Sequence, residues 1–157
     1  MELRELAHHD VASIWSINEQ GLPGTGQVSE QELTNLLDLS ALSLGVFREG
    51  ELLGFVICLP PQKSYGSLNY AWFNQRFDAF LYVDRIAVAH EHRGHGIGSM
   101  LYEHVIALSH ELAVPVAAEV NVLPPNPGSM RFHERFGFKE IGELHHKEKS
   151  VSMLLRT

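Results

Sequence analysis

A glycine-rich segment past the middle of the chain has the residue types that bind a diphosphate. The segment is Arg93-Gly94-His95-Gly96-Ile97-Gly98, and it lies between an apolar stretch and an amphipathic one. The start of a helix leaves backbone N–H groups unpaired and carries a partial positive charge, and glycines let an anion approach the backbone closely. Arg93 adds a planar cation with several donors. The pattern predicts an anion-binding loop, with a plain turn before a helix as the alternative.

The spacing of these glycines differs from two well-known phosphate loops. Dinucleotide-binding loops have the pattern G-x-G-x-x-G, and nucleotide-hydrolysing P-loops end in Gly-Lys-Ser/Thr. Here the glycines alternate at positions 94, 96 and 98. The loop therefore matches neither of these two patterns.

The sequence disfavours two other chemistries, metal binding and catalysis by a thiol. His90, His92 and His95 could suggest a metal cluster, but Arg93 among them argues against a cation, so no metal is predicted. Cys58 is the one cysteine and lies in an apolar run, where a buried strand residue is favoured over a catalytic thiol.

The elements around the loop follow from hydrophobic periodicity and turn residues. After the loop, apolar residues from Ile97 to Leu112 recur on one helical face. Asp10 is expected to cap a first helix, and Ser29 with Glu32 a second. The aromatic-rich stretch from Gln62 to Phe77 is predicted as a loop that either lines a site or packs on the core. Strands are predicted at 3–6, 43–48, 52–59, 80–89, 114–122, 138–144 and 150–155, and a further short helix at 126–136. The resulting order of strands and helices along the chain, β-α-α-β-β-β-α-β-α-β-β, predicts one mixed α/β sheet with helices on its faces.

Composition narrows the class of protein. The chain has 157 residues, which fits one domain over 1–157. Its net charge of −7 argues against a nucleic-acid binder. No apolar stretch approaches the roughly 20 residues that span a bilayer, so no membrane partner is expected. A single cysteine and no signal-peptide pattern favour a cytoplasmic protein.

Two motifs at a matching separation resemble the GCN5-related N-acetyltransferases (GNAT). The segment 82–98, Tyr-Val-Asp-Arg-Ile-Ala-Val-Ala-His-Glu-His-Arg-Gly-His-Gly-Ile-Gly, resembles the family's R/Q-x-x-G-x-G/A motif and the strand before it. Asn126, Ser129, Phe132-His133 and Gly137-Phe138 resemble its N-x-x-A-x-x-L-Y-x-x-x-G-F element. The resemblance covers residues 43–140 well. It implies the GNAT fold: six or seven mixed strands, helices on both faces, and a splay between the fourth and fifth strands.

The resemblance also implies a cofactor, acetyl-CoA, and the residues that would hold it. Backbone groups of the strand before the loop would pair with the pantetheine arm, and amides of the loop would bind the pyrophosphate. The implied cofactor-binding residues are Ile86, Ala87, Val88, Arg93, Gly94, His95, Gly96, Ile97, Gly98, Ser99, Asn126, Ser129 and His133.

Three residues are candidates for catalysis under this resemblance. Glu119 falls where many members place the general base that takes a proton from the amine, and a solvent-facing carboxylate without a role is its alternative. Asp84 is a second candidate, or else a partner of Arg85. His133 replaces the tyrosine that many members use to protonate the leaving thiolate. It either donates that proton or merely packs near the cofactor.

The predicted function is acetyl transfer from acetyl-CoA to a primary amine of a small molecule or peptide. The acceptor would approach between the N-terminal helices and the aromatic loop, which favours a partly apolar amine. A CoA-binding sensor without turnover is the alternative from another class. Transfer to a hydroxyl, or of a longer acyl chain, is a third hypothesis, and a homodimer is considered.

Overall fold

The computed structural model describes all residues from Met1 to Thr157 and contains one seven-stranded sheet. The strand order is β1-β2-β3-β4-β5-β7-β6, and only β4 and β5 run parallel. The strands are β1 (Glu2–Glu5), β2 (Leu42–Arg48), β3 (Glu51–Leu59), β4 (Leu81–Val88), β5 (Val116–Leu123), β6 (Lys139–His146) and β7 (Lys149–Arg156). The predicted mixed sheet is therefore confirmed, with seven strands.

Five α-helices cover the two faces of this sheet. They are α1 (Val11–Gln20), α2 (Glu30–Leu39), α3 (Leu68–Arg76), α4 (Ile97–Leu112) and α5 (Pro127–Arg135). Side chains of α1, α2 and α3 pack in one core cluster, and those of α4 pack in a second cluster on the opposite face. Because β3 is buried on both sides, its residues alternate between the two clusters, with Phe55 in the first and Val56 in the second. None of the helices is both long and apolar enough to cross a membrane.

Local sequence signals account for several element ends. Ser29 accepts a hydrogen bond from the Glu32 amide, and the Glu32 carboxylate accepts one from the Ser29 amide, which is the predicted capping box. Glu49 and Gly50, both at positive φ, turn the chain tightly between β2 and β3.

One local prediction was wrong, and a second was correct in position only. The stretch 62–77 contains α3 rather than a continuous loop, because Ser67 caps the helix and Tyr70 and Phe73 bury their rings in the core. Asp10 occupies the predicted N-cap position of α1, but its side chain makes no capping hydrogen bond. Its carboxylate instead accepts hydrogen bonds from the Ala7 amide and the Arg4 guanidinium, which tie β1 to the first turn.

The sheet opens between its fourth and fifth strands. The strands β4 and β5 pair only at Leu81 with Val116 and at Tyr82 with Ala117, and beyond these pairs they diverge. Strand β4 also bulges, since Arg85 pairs with Ile57 and Val83 with Cys58 while Asp84 has no partner on β3. The predicted splay is confirmed, and it creates the cleft in which the candidate residues meet.

Candidate active site

The gap between β4 and β5 continues into a cleft of about 150 Å³ with mostly polar walls. The walls combine β4, β5, the α1–α2 loop, the start of α3, one side of α5 and the β6–β7 hairpin. Of the predicted residues, this cleft brings together Asp84, Ile86, Glu119, Ser129 and His133. The glycine-rich loop lies outside the lining of this cleft, at the end of β4.

The loop has the backbone geometry that a diphosphate requires. The N–H groups of residues 94–99 donate to no acceptor within the protein. Gly94 and Gly96 have φ angles of 81° and 78°, and the space beside both is open. Glycine adopts such angles without steric cost, and consecutive amides in this arrangement form an anion-binding concavity. Arg93 is exposed and donates through Nε to the Val88 carbonyl at 3.3 Å. These residues fit the diphosphate of CoA.

The strand before the loop has one edge free for a second backbone. Ile86, Ala87 and Val88 pair with β3 on one side. Their other side faces β5, with which they form no ladder because the strands have diverged. Unpaired strand edges accept an extended chain with amide groups. The pantetheine arm, which contains two amides, suits such an edge.

Asp84 and Arg85 form a buried ion pair at the bulge of β4. Arg85 Nε donates to Asp84 Oδ2 at 2.6 Å, and the two side chains are only 7% and 3% exposed, respectively. Arg85 Nη1 donates to Asn18 Oδ1 at 3.1 Å and to the Gly26 carbonyl at 3.0 Å. The pair therefore fixes the α1–α2 loop against the sheet.

Glu119 carries a buried carboxyl group on β5, so it is not the solvent-facing residue of the alternative interpretation. Its Oε1 accepts hydrogen bonds from Tyr82 Oη at 2.7 Å and from Asn69 Nδ2 at 3.2 Å, while Oε2 is buried with no partner. Burial raises the pKa of Glu119 to about 8, against the lowering effect of the Tyr82 hydrogen bond. Burial and the nearby Glu119 raise the pKa of Tyr82 well above 10. Tyr82 therefore stays protonated and donates a hydrogen bond to Glu119.

His133 is buried and held at both ring nitrogens. Nδ1 lies 2.8 Å from the Ser129 carbonyl, and Nε2 lies 2.6 Å from Tyr102 Oη. A carbonyl only accepts, so the proton is on Nδ1 and Nε2 accepts the hydrogen bond from Tyr102. Burial lowers the pKa of His133 and raises that of Tyr102. At neutral pH both groups are uncharged, and the N–H and O–H of this pair are already engaged.

Helix α5 carries the second motif and faces both the cleft and the loop. Asn126 caps the helix by accepting from the Ser129 amide at 3.3 Å. A Cβ at Gly98 would lie 3.3 Å from the Phe132 ring, so the glycine allows α4 and α5 to approach closely. Gly137 follows the C-cap of α5, and its positive φ of 86° turns the chain out of the helix. The two predicted motifs are thus in direct contact.

Comparisons with known proteins agree with this arrangement. The sequence model of the Acetyltransferase (GNAT) family matches residues 9–138. The chain belongs to the GNAT acetyltransferase family. Its members are acyltransferases, and the predicted family and enzyme class are confirmed. A search of curated protein sequences gave no match.

Solved structures with the same fold are numerous, at low sequence identity. Ard1 from Thermoplasma volcanium is 19% identical with a TM-score of 0.79, and the alignment covers 99% of this chain and 95% of that one. The ribosomal-protein-S18-alanine N-acetyltransferase from Escherichia coli is 17% identical with a TM-score of 0.75, covering 99% and 92%. Arabidopsis thaliana Naa50 in complex with the bisubstrate analogue CoA-Ac-MVNAL is 15% identical with a TM-score of 0.77, covering 99% and 97%. At these identities the likeness establishes the GNAT fold.

Within this GNAT fold, several residues that line the cleft were missed by the sequence interpretation. Asn69 enters from α3, and His146 and Lys149 enter from the β6–β7 hairpin. The α1–α2 loop contributes residues 23–26 and is tied across the gap by Asn121, whose Nδ2 donates to the Pro23 carbonyl at 3.2 Å. No motif signals these positions, since each comes from a different element.

The aromatic residues between β3 and β4 do not line this cleft. Tyr70 and Phe73 are buried in the core, and Trp72 packs against Gly142 of β6. Only Asn69 of that segment contributes to the lining. The reason for expecting a partly apolar amine therefore does not hold.

Proposed function

We propose that residues 1–157 form one acetyl-CoA-dependent N-acetyltransferase domain whose acceptor is a primary amine of a peptide or small molecule. The observation that carries this proposal is the buried Glu119 carboxyl group, which has one oxygen free in the cleft between the diverging strands. A cytoplasmic location and a homodimer stay predictions.

The cofactor residues in this proposal are those around the cleft and the loop. Amides of residues 94–99 would bind the diphosphate, with Arg93 beside them, and the free edge of Ile86–Val88 would pair with the pantetheine arm. Asn126 and Ser129 on α5 would contact the cofactor from the facing side. Bound acetyl-CoA would supply the carbonyl carbon that an amine attacks.

Glu119 is suited to accept the proton of the acceptor amine. A lysine-type amine has a pKa near ~10.4 and is not nucleophilic until it loses a proton. With a pKa of about 8, Glu119 is a stronger base than an ordinary carboxylate, so proton transfer from the amine is less uphill. Tyr82 and Asn69 hold Oε1 in place and leave Oε2 to receive the proton. Asp84 is the weaker candidate because Arg85 already binds its carboxylate.

His133 occupies the position that the family resemblance gives to the general acid. Its proton is on Nδ1 and bonded to Ser129, and Tyr102 is too weak an acid to replace it after transfer. We therefore propose that His133 positions α5 against α4. A thiolate whose conjugate acid has a pKa near ~8.5 can leave without a protein acid.

Peptide amines are the acceptors we favour. The neighbours include a ribosomal-protein-S18-alanine N-acetyltransferase and Naa50 bound to an analogue that joins CoA to a peptide. The polar walls of this cleft are compatible with such an acceptor, since a peptide N-terminus carries amide groups that need hydrogen-bond partners.

The test is acetylation of a peptide library that contains each of the twenty amino acids at a free N-terminus. Release of free CoA and a mass increase of one acetyl group are measured together. Matched peptides with a blocked N-terminus, with and without an internal lysine, locate the acetylated amine. Acetyl-CoA binding without turnover on any amine would support the CoA-binding module instead. The hydrogen bonds of His133 and Tyr102 favour that alternative, because they already use the protons that an acid would donate. Transfer only to hydroxyl acceptors, or only from longer acyl-CoA, would support the third hypothesis.

A further inference from the structure

Three buried side-chain atoms in the chain have no hydrogen-bond partner, and all three residues line the same cleft. The atoms are Asn69 Oδ1, Glu119 Oε2 and His146 Nε2. Native proteins leave few buried polar atoms unpaired, because each one has lost its water without a replacement. Their occurrence on the walls of one cleft indicates a ligand that pairs with them.

The fold holds Asn69 in a defined orientation. It lies in the first turn of α3, which Ser67 caps and which Tyr70 anchors by donating a hydrogen bond to the Pro60 carbonyl. Nδ2 of Asn69 donates to Glu119 Oε1 at 3.2 Å. Because this bond fixes which amide atom faces Glu119, Oδ1 is left as a hydrogen-bond acceptor in the cleft.

His146 contributes from the β6–β7 hairpin. It is the last residue of β6 and pairs with Lys149 across the hairpin. Its neighbour His145 is exposed and bonds Ser150 through Nδ1 at 2.8 Å. The two adjacent histidines therefore differ, and only His146 lines the cleft with an unpaired nitrogen.

The three atoms match a ligand that has several N–H groups on one nitrogen. Asn69 Oδ1 accepts hydrogen bonds, Glu119 Oε2 accepts when ionised, and His146 Nε2 accepts when its proton is on Nδ1. A primary ammonium has three N–H donors, whereas a hydroxyl has one. We propose that Asn69, His146 and Glu119 form the subsite that binds the acceptor's primary amine. This proposal rests on the proposed function and adds two binding residues from elements outside both family motifs.

The first test measures binding without turnover. The full-length protein is titrated with alaninamide, and NMR follows the side-chain amide signal of Asn69 and the imidazole nitrogens of His146. Lactamide, which replaces the amine with a hydroxyl, is the matched control. We expect both signals to shift with alaninamide and not with lactamide. Equal shifts with both compounds, or none with alaninamide, would overturn the subsite.

The second test uses an acceptor peptide from the library with single variants. Asn69→Ala and His146→Phe should each raise the KM for the peptide about tenfold, the effect expected from losing one hydrogen bond to a charged group. The Kd for acetyl-CoA should stay unchanged. Because His146 has no bond to Glu119, His146→Phe tests the subsite without disturbing the base.

The matched control variants change residues on the same two elements, α3 and β6. Asn74→Ala changes an asparagine of α3 that bonds the Gln62 amide, and His145→Phe changes the neighbouring histidine. Both should leave the KM within twofold of the wild-type value. If the enzyme is active and the Asn69 and His146 variants have an unchanged KM, the subsite is refuted but the proposed function is not. Amine-specific NMR shifts in a protein that acetylates no amine would refute the proposed function and keep the subsite.

Discussion

The two halves of the candidate site are built in different ways. The proposed cofactor half is made of backbone: the amides of residues 94–99 and the free edge of β4. The proposed acceptor half is made of side chains that come from separate elements, among them Asn69, Glu119 and His146. A backbone cradle depends on glycines at fixed spacing, whereas a side-chain wall depends on how distant segments pack.

The two halves should respond differently to substitutions. In the cofactor half, changes that add a side chain or a charge should disturb binding, while most side-chain identities matter little. In the acceptor half, the identity of each side chain matters, and its loss should affect the reaction or the acceptor more than the cofactor.

The largest effect is expected from Glu119→Gln, which removes the proposed base from the acceptor half and keeps its shape. We expect kcat/KM for the amine to fall by about 10²–10⁴-fold, the usual contribution of general base catalysis. The Kd for acetyl-CoA, measured by calorimetry, should stay within about twofold. Glu111→Gln, on the exposed end of α4, is the control. A loss of less than about fivefold would remove Glu119 from the mechanism.

The same residue makes activity and stability depend on pH in opposite directions. Glu119 must be ionised to act as a base, so kcat/KM should rise with pH through about 8. The pKa of Glu119 in the folded state lies above the ordinary 4.5, so between about pH 4.5 and 8 the folded state holds a proton on Glu119 that the unfolded state has lost. The free energy of unfolding should therefore fall as the pH rises through this range. Both trends should weaken in Glu119→Gln. Their persistence in that variant would assign the titration to another group.

The contrast between the two halves also explains why the sequence predicted the loop and the second motif but not the side chains of the cleft. The loop with the helix after it, and the Asn126–Phe138 element, are each continuous in sequence, so residue types and spacing predicted their structure and a diphosphate ligand for the loop, whereas acetyl-CoA followed from the family resemblance. The cleft positions of Asn69 and His146 depend on the register of β6 with β7 and on α3, whose aromatic residues have no clear period. The role of Tyr102 was also hidden, because its contact with His133 joins residues 31 positions apart.

The cofactor half is tested by Gly96→Asp. The new carboxylate would lie where we propose that the loop amides bind a diphosphate, and a side chain at φ 78° adds strain. We expect the Kd for acetyl-CoA to rise at least about 100-fold, since several charge-assisted hydrogen bonds are affected. Gly50→Asp is matched, because Gly50 also has a positive φ of 83° and open space beside it. Similar CoA affinity in both variants would contradict the cradle.

Asp84→Asn tests the ion pair that joins the two halves. Arg85 would stay buried without its carboxylate partner, which costs about 3 kcal/mol or more of unfolding free energy. Urea unfolding measures this change. Asp38→Asn, which breaks an exposed pair with His8, should cost about 1 kcal/mol or less. Equal effects of the two variants would mean that the Asp84–Arg85 pair contributes no more than a surface contact.

The smallest effects are expected where the two halves meet, at His133 and Tyr102. Each of the variants His133→Phe and Tyr102→Phe leaves one buried partner unpaired and should cost about 1–3 kcal/mol in unfolding free energy. If His133 only positions α5, kcat and CoA affinity should each change by less than about threefold at a temperature where the variants are folded. The control for general loss of stability is Asp10→Asn, which breaks the Arg4–Asp10 pair outside the cleft and is assayed under the same conditions. A fall in kcat of about 100-fold in His133→Phe, with unchanged CoA affinity and little change in Tyr102→Phe, would instead identify His133 as the acid.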